Sequence, residues 1–85
     1  MSELRSLPNL GPFIVDQLYE VGILSGEDLK DVGAKQAWLK IQQIDESACI
    51  HRLYSLEAAI QGIKKKDLPQ NIKDELKEFY NEHKK

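Results

Sequence analysis

Leu7-Pro8-Asn9-Leu10-Gly11-Pro12 is echoed 22 residues later by Leu29-Lys30-Asp31-Val32-Gly33-Ala34. Each copy reads as an apolar helix end, a glycine turn and a new helix that starts at once. Glycine supplies backbone freedom at the turn, and Pro12 suits a first helical position because its missing N–H has no intrahelical partner there. The helix after the first copy carries Ile14, Val15, Leu18 and Val21; the helix after the second carries Ala37, Trp38, Ile41 and Ile44. Gly11, Pro12, Gly33 and Ala34 are therefore read as structural turn residues, and a Cβ is expected to be poorly tolerated at both glycines.

Working outward, the pattern predicts five helices and no strand, because β-branched alternation is missing. After a short turn around Leu4–Leu7, the first long helix is expected from Pro12 to Glu20, closed by Gly22 just past its end. Ser25-Gly26-Glu27-Asp28 is a start signal: serine caps, and the acids favour the positive helix end. Gly33 ends that short helix near Val32, and a third helix follows from Ala34 to about Gln43. Asp45 or Ser47 is expected to cap a fourth, running to Gln61 and stopping at Gly62. Asp67-Leu68-Pro69 opens the last, in which Leu68, Ile72, Leu76 and Phe79 recur at helical spacing. The predicted architecture is all-α: a compact five-helix domain over residues 1–85 with tandem helix-hairpin-helix-like turns (SAM/HhH-like). Its expected core is Leu10, Ile14, Leu18, Ile23, Leu29, Ile41, Leu53, Leu56, Ile60, Ile72 and Leu76.

Composition narrows the function classes. At 85 residues the chain suffices for one small core. Its 41% hydrophobic and 31% charged residues exclude a disordered protein. No apolar run approaches a membrane span, and Met1-Ser2-Glu3 leads into the hairpin region without a signal-peptide pattern. Cys49 stands alone and cannot form an internal disulfide, which fits a reducing cytoplasm. His51 and His83 are 32 positions apart, so no metal site is expected. The formal charge of −2 is unevenly spread. Residues 1–45 hold seven acids and four bases, giving −3, whereas residues 46–85 hold seven acids and eight bases, giving +1. The acidic half contains both hairpin turns.

Further segments carry a family resemblance: Leu4-Arg5-Ser6-Leu7-Pro8-Asn9-Leu10-Gly11-Pro12, Val21-Gly22-Ile23 with Asp28-Leu29, Val32-Gly33-Ala34, Leu53-Tyr54-Ser55-Leu56-Glu57-Ala58-Ala59-Ile60-Gln61-Gly62 and Asp67-Leu68-Pro69. In order and spacing the chain resembles the C-terminal domain of the TfoX/Sxy competence-regulator family along nearly its whole length. The hairpin is also similar to the C-terminal domain of the RNA polymerase alpha subunit. The resemblance implies a compact all-helical domain related to helix-hairpin-helix modules, in a family linked to regulation of DNA uptake and transcription. The match covers only that domain, so the activity of longer members is not carried over. Phe13 stands where related hairpins often place a lysine, and Lys65 where members often have tryptophan.

The candidate sites follow from chemistry. A DNA-binding hairpin offers helix N-terminal N–H groups to a phosphate, usually beside a cation. At Gly11-Pro12 the proline removes one donor, Phe13 supplies no charge and Asp16 is one turn away, so this turn is read as a packing device. Gly33-Ala34-Lys35 keeps its donors and a cation, although Asp31 opposes them. Lys64, Lys65 and Lys66, with Lys73 and Lys77 beyond, form the only basic cluster, diluted by Asp67, Asp74, Glu75 and Glu78. Lys35, Lys64, Lys65 and Lys66 are thus the nucleic-acid candidates, and a solvated face is the favoured account of the cluster. Trp38, Tyr54, Phe79 and Tyr80 are read as packing residues, Cys49 as a small apolar one and His51 as a surface histidine. Glu57 is expected to be semi-buried, capping a backbone or pairing with Arg52 or Arg5.

No nucleophile, base and orienting group come together in this pattern. The expected role is a non-enzymatic regulatory module that acts through contacts with a protein partner and uses no cofactor or small-molecule substrate. The alternative is a weak, sequence-independent nucleic-acid binder.

Overall fold

Gly11 adopts an extended conformation (φ −77°, ψ 168°) and hands the chain to Pro12, which opens α1 (Pro12–Glu20). The computed structural model describes residues 4, 7 and 9–84. Four more helices follow: α2 (Gly26–Val32), α3 (Ala34–Ile44), α4 (Ile50–Gln61) and α5 (Gln70–His83), with a short 3-10 turn at Lys65–Asp67. No strand occurs among the described residues, so the fold is all-α.

Helix ends obey local chemistry. Gly22 (φ 87°) terminates α1: its N–H reaches the Tyr19 carbonyl at 3.1 Å and the Ile23 N–H reaches Leu18 at 2.8 Å. Gly62 (φ 72°) repeats that paired arrangement after α4, with Ile63 N–H on Ala58 at 3.1 Å and Gly62 N–H on Ala59 at 3.2 Å. Both are left-handed glycine caps that satisfy orphan carbonyls. The start of α2 is capped reciprocally. The Asp28 N–H donates to Ser25 Oγ at 3.1 Å, and the Leu24 N–H donates to Asp28 Oδ2 at 3.2 Å. Gly33 serves two helices in one residue, its N–H bonding the Leu29 carbonyl at 2.8 Å and its own carbonyl accepting from Ala37 at 3.0 Å.

The sequence echo is not a conformational one. Gly33 has φ 86° and ψ 155°, a region nearly closed to residues with a Cβ. Gly11 has negative φ, and no atom lies within 4 Å of a Cβ built there. The expected intolerance of a side chain therefore holds at Gly33 through φ, and is corrected at Gly11. The left-handed residue of the first turn is Asn9 (φ 70°), whose short polar side chain tolerates that region.

α3 and α4 pack face to face, and α5 closes over both. The core gathers Leu4, Val15, Leu18, Ile23, Leu29, Ile41, Leu53, Leu56 and Leu76 around Trp38. The Trp38 indole N–H donates to the Cys49 carbonyl at 3.1 Å, which pays the polar cost of burying the ring. Phe79 and Tyr80 meet Trp38 edge-on at centroid distances of 6.3 and 5.6 Å. Leu10, Ile14, Ile60 and Ile72 are partly buried against this core rather than inside it. Ile44 lies at the end of α3 with 48% of its surface exposed.

α4 begins later than the Asp45 or Ser47 caps implied. Asp45 turns its carboxylate onto its own loop, accepting the Ser47 N–H at 3.0 Å, and Cys49 becomes the residue preceding the first turn of α4. Asp and Ser favour such local turns as readily as helix caps. Glu57 is half-buried but accepts from Gln61 Nε2 at 2.6 Å, while Arg52 pairs with Asp45. Pairing of Glu57 with Arg52 is thus corrected, and Arg5 lies outside the described residues.

Candidate functional site

The lysines singled out by their charge occupy separate places. Lys35, in the first turn of α3, sets its Nζ 2.7 Å from Glu75 Oε1 and 5.6 Å from the Phe79 ring centroid. Its charge is shared between an exposed ion pair and an aromatic face, both on α5. Lys64, Lys65 and Lys66 lie at the corner between α4 and α5, with Lys64 and Lys66 exposed and Lys65 half-buried. Among the described residues no hydrogen bond or ion pair links Lys35 to that run. Asn9 holds the corner in place: its Nδ2 donates to the Ile63 carbonyl at 2.7 Å and its Oδ1 accepts the Lys65 N–H at 3.0 Å.

A cleft of about 340 Å³ opens elsewhere, between the first turns of α1 and α4. Gly11, Pro12, Phe13 and Ile14 form one wall; Cys49, His51, Arg52 and Ser55 form the other. Phe13 is 60% exposed, because the inward stripe of α1 is made by Val15 and Leu18 and leaves its ring outside the core. The Arg52 guanidinium stacks over that ring, 5.3 Å from its centroid, a favourable cation–π placement. Neither helix receives a hydrogen bond from its N-cap side chain, and neither has an acid in its first turn. The N-terminal turns of both helices thus line the cleft, although Pro12 brings no N–H to it.

Behind Arg52 stands a polar hub on Asp45. Arg52 Nη1 donates to Asp45 Oδ2 at 3.0 Å, and Gln17 Nε2 donates to the same oxygen at 2.9 Å. Ser47 donates to Oδ1 through its hydroxyl and through its backbone N–H. The Ser47 hydroxyl, then Gln17, the Ser47 N–H and Arg52 together hold the Asp45 carboxyl well below the usual carboxylate range, against a smaller opposing effect of desolvation. Gln17 is buried, and its Oε1 has no hydrogen-bond partner among the described residues. The hub ties α1, the α3–α4 loop and α4 together, and so fixes the cleft walls.

The packing roles expected of the aromatics agree with the structure. Trp38 is fully buried, and Tyr54, Phe79 and Tyr80 pack against the core. His51 is exposed with its ring 6.3 Å from Tyr54, and Cys49 is a half-buried free thiol. Among the described residues no three His, Cys, Asp or Glu side chains gather as a metal site, and no helix is long and apolar enough to cross a membrane. The cleft itself escaped the sequence reading, which took Phe13 only as a missing lysine. Its one advance signal was a large aromatic lying outside the apolar stripe of its helix.

Known proteins resemble this chain strongly. The family model for the TfoX C-terminal domain matches residues 1–80. Protein Sxy of Escherichia coli (strain K12) is 37% identical over 76 residues, covering 89% of this chain and 36% of Sxy. The chain thus spans about 36% of the length of that relative. A crystal structure of an uncharacterized protein from Listeria monocytogenes, in a triclinic form, superimposes with a TM-score of 0.94 at 42% identity, covering 95% of this chain and 92% of that one. A tetragonal form of a Listeria monocytogenes protein of unknown function gives 0.91 at 43% identity, covering 93% and 98%. With the family model matching nearly every residue and the fold reproduced at this identity, the chain belongs to the TfoX C-terminal domain family.

Proposed function

We propose that residues 1–85 form one cytoplasmic, non-enzymatic regulatory domain of a DNA-linked system of the competence or transcription type, acting through protein contacts. The observation that carries this reading is the cleft at Phe13, where an exposed aromatic lies against Arg52; aromatic and arginine side chains are the types enriched at protein interfaces. Membership of the TfoX C-terminal domain family supports the regulatory setting. The engagement of Lys35 by Glu75 and Phe79 weighs against phosphate binding at the Gly33 turn. The exposed Lys64 and Lys66 favour a second reading, weak and sequence-independent nucleic-acid contact at the α4–α5 corner.

Two measurements separate the readings. In a pull-down from native extract, the protein partner is expected to stay bound after nuclease treatment. In a duplex-DNA titration, binding is expected to be weak or absent near physiological salt. Any residual binding should strengthen as salt falls, with a log–log slope near 0.9 per phosphate contacted, and disappear on charge reversal at Lys35 or Lys64–Lys66. Sequence-selective DNA binding at roughly 10⁻⁸ M or tighter would put direct DNA recognition first.

A further inference from the structure

We propose that α5 is a releasable strap: it opens as one unit about a hinge at Leu68–Pro69 and uncovers Trp38, while α1 to α4 stay folded. The device stands apart from the cleft and from the protein-contact reading.

Burial is shared unevenly among the helices. Of the 14 residues of α5 only Leu76 is buried, whereas the 12-residue α4 buries Leu53, Ser55, Leu56, Ala58 and Ala59. Ile72, Phe79 and Tyr80 of α5 rest partly buried on a core whose Leu18, Ile23, Leu29, Ile41, Leu53 and Leu56 all lie outside α5. Segments with few buried apolar contacts open first. The polar ties of α5 to its neighbours are local. Lys35 Nζ reaches Glu75 Oε1 in an ion pair open to solvent and lies over the Phe79 ring. Gln42 Nε2 donates to the His83 carbonyl at 2.8 Å, and the Tyr54 hydroxyl reaches the Lys73 carbonyl at 3.5 Å.

The hinge is equally defined. Leu68 is buried and the Lys65 N–H before it is held by Asn9, so the corner stays in place when the helix leaves. Pro69 follows in an extended conformation (φ −58°, ψ 147°), with no N–H to bind it to the corner. Beneath α5 lies Trp38, fully buried and met edge-on by Phe79 and Tyr80. Release of the strap turns that ring into surface. Lys35 is the latch, because one side chain grips α5 both by charge and through the Phe79 ring.

The test is native-state hydrogen exchange on the intact chain in low urea, read amide by amide. The amides from Asp74 to His83 should share one opening, at least about tenfold more frequent than that of the slowest α4 amides. Its urea dependence should be the smaller of the two, since less surface is exposed. Two variants separate strap release from global unfolding. Ile23→Val, in the core and outside α5, should speed the slowest α4 amides roughly two- to tenfold and leave the α5 amides at wild-type rates, because the opened form keeps that core. Lys35→Met keeps the aliphatic stem and removes the charge; it should raise the α5 opening roughly three- to tenfold. Lys40→Met, at an exposed position of the same helix, should leave the α5 opening unchanged. Four results would each overturn the proposal: α5 and α4 amides with one common rate and urea slope, α5 amides that follow α4 in Ile23→Val, protection that declines stepwise from Asp74 to His83 as in fraying, or an α5 opening that Lys35→Met moves no more than Lys40→Met.

Discussion

Asn9 and Ile63 are joined by a 2.7 Å hydrogen bond from a side-chain amide to a backbone carbonyl, across 54 positions of sequence. The same amide accepts from the Lys65 N–H at 3.0 Å, so one side chain pins the segment before α1 to the corner after α4. Replacing Asn9 by alanine removes both bonds and leaves a Cβ residue at φ 70°. The expected cost is about 1–3 kcal/mol, from roughly 0.5–1.5 for each bond. Asn9→Gly loses the same bonds but relieves the backbone, so it should cost less than Asn9→Ala. Urea titrations of the two variants check the order.

The two turn glycines should respond oppositely. Gly33→Ala forces a Cβ onto φ 86° and ψ 155° and should destabilise by about 1–3 kcal/mol. Gly11→Ala meets no atom within 4 Å at an ordinary negative φ. It should be neutral or stabilising by up to about 1 kcal/mol, because the unfolded chain loses freedom. Thermal melts of both variants distinguish them.

Acid should act through Asp45. Its carboxyl is held below the usual carboxylate range in the folded chain by Ser47, Gln17 and Arg52. The stabilisation is therefore complete above the unfolded value of about 4 and is lost as pH falls through that range towards the depressed one. Asp45→Asn should be less stable than wild type near neutrality, and the gap should narrow in acid. A difference in stability that stays constant across the acid range would dissociate the hub from the titration.

Leu53 has no exposed surface and sits on the α4 face that meets the rest of the core. Leu53→Ala should cost about 2–5 kcal/mol, the range for emptying a packed leucine site. A loss below about 0.5 kcal/mol in denaturant titration, far under that range, would mean that α4 is peripheral.

Local chemistry explains which features were legible in the chain. Pro12, Gly22, Ser25, Gly33 and Gly62 mark helix limits because each acts within its own turn, and the observed limits of α1 and α2 follow them. The start of α4 did not follow, because Asp45 and Ser47 look like caps. Tertiary partners decided the matter, with Gln17 and Arg52 drawing the Asp45 carboxylate away from the coming helix. Asn9 likewise needs the Ile63–Lys65 backbone to explain its left-handed conformation. The cleft is the extreme case. Phe13 becomes a wall only where α4 places Arg52 beside it, 39 positions later, and no periodicity within α1 carries that information.

The bond from the Trp38 indole to the Cys49 carbonyl gives the molecule an optical gauge of its own. Trp38 is the sole tryptophan, its ring is sealed in the core, and its indole N–H is held by the residue just before α4. Cys49 also lines the cleft. The emitting ring and the outer surface are therefore separated by a single peptide unit. A ligand that shifts the start of α4 pulls on the indole N–H, and the fluorescence colour registers it without any label attached.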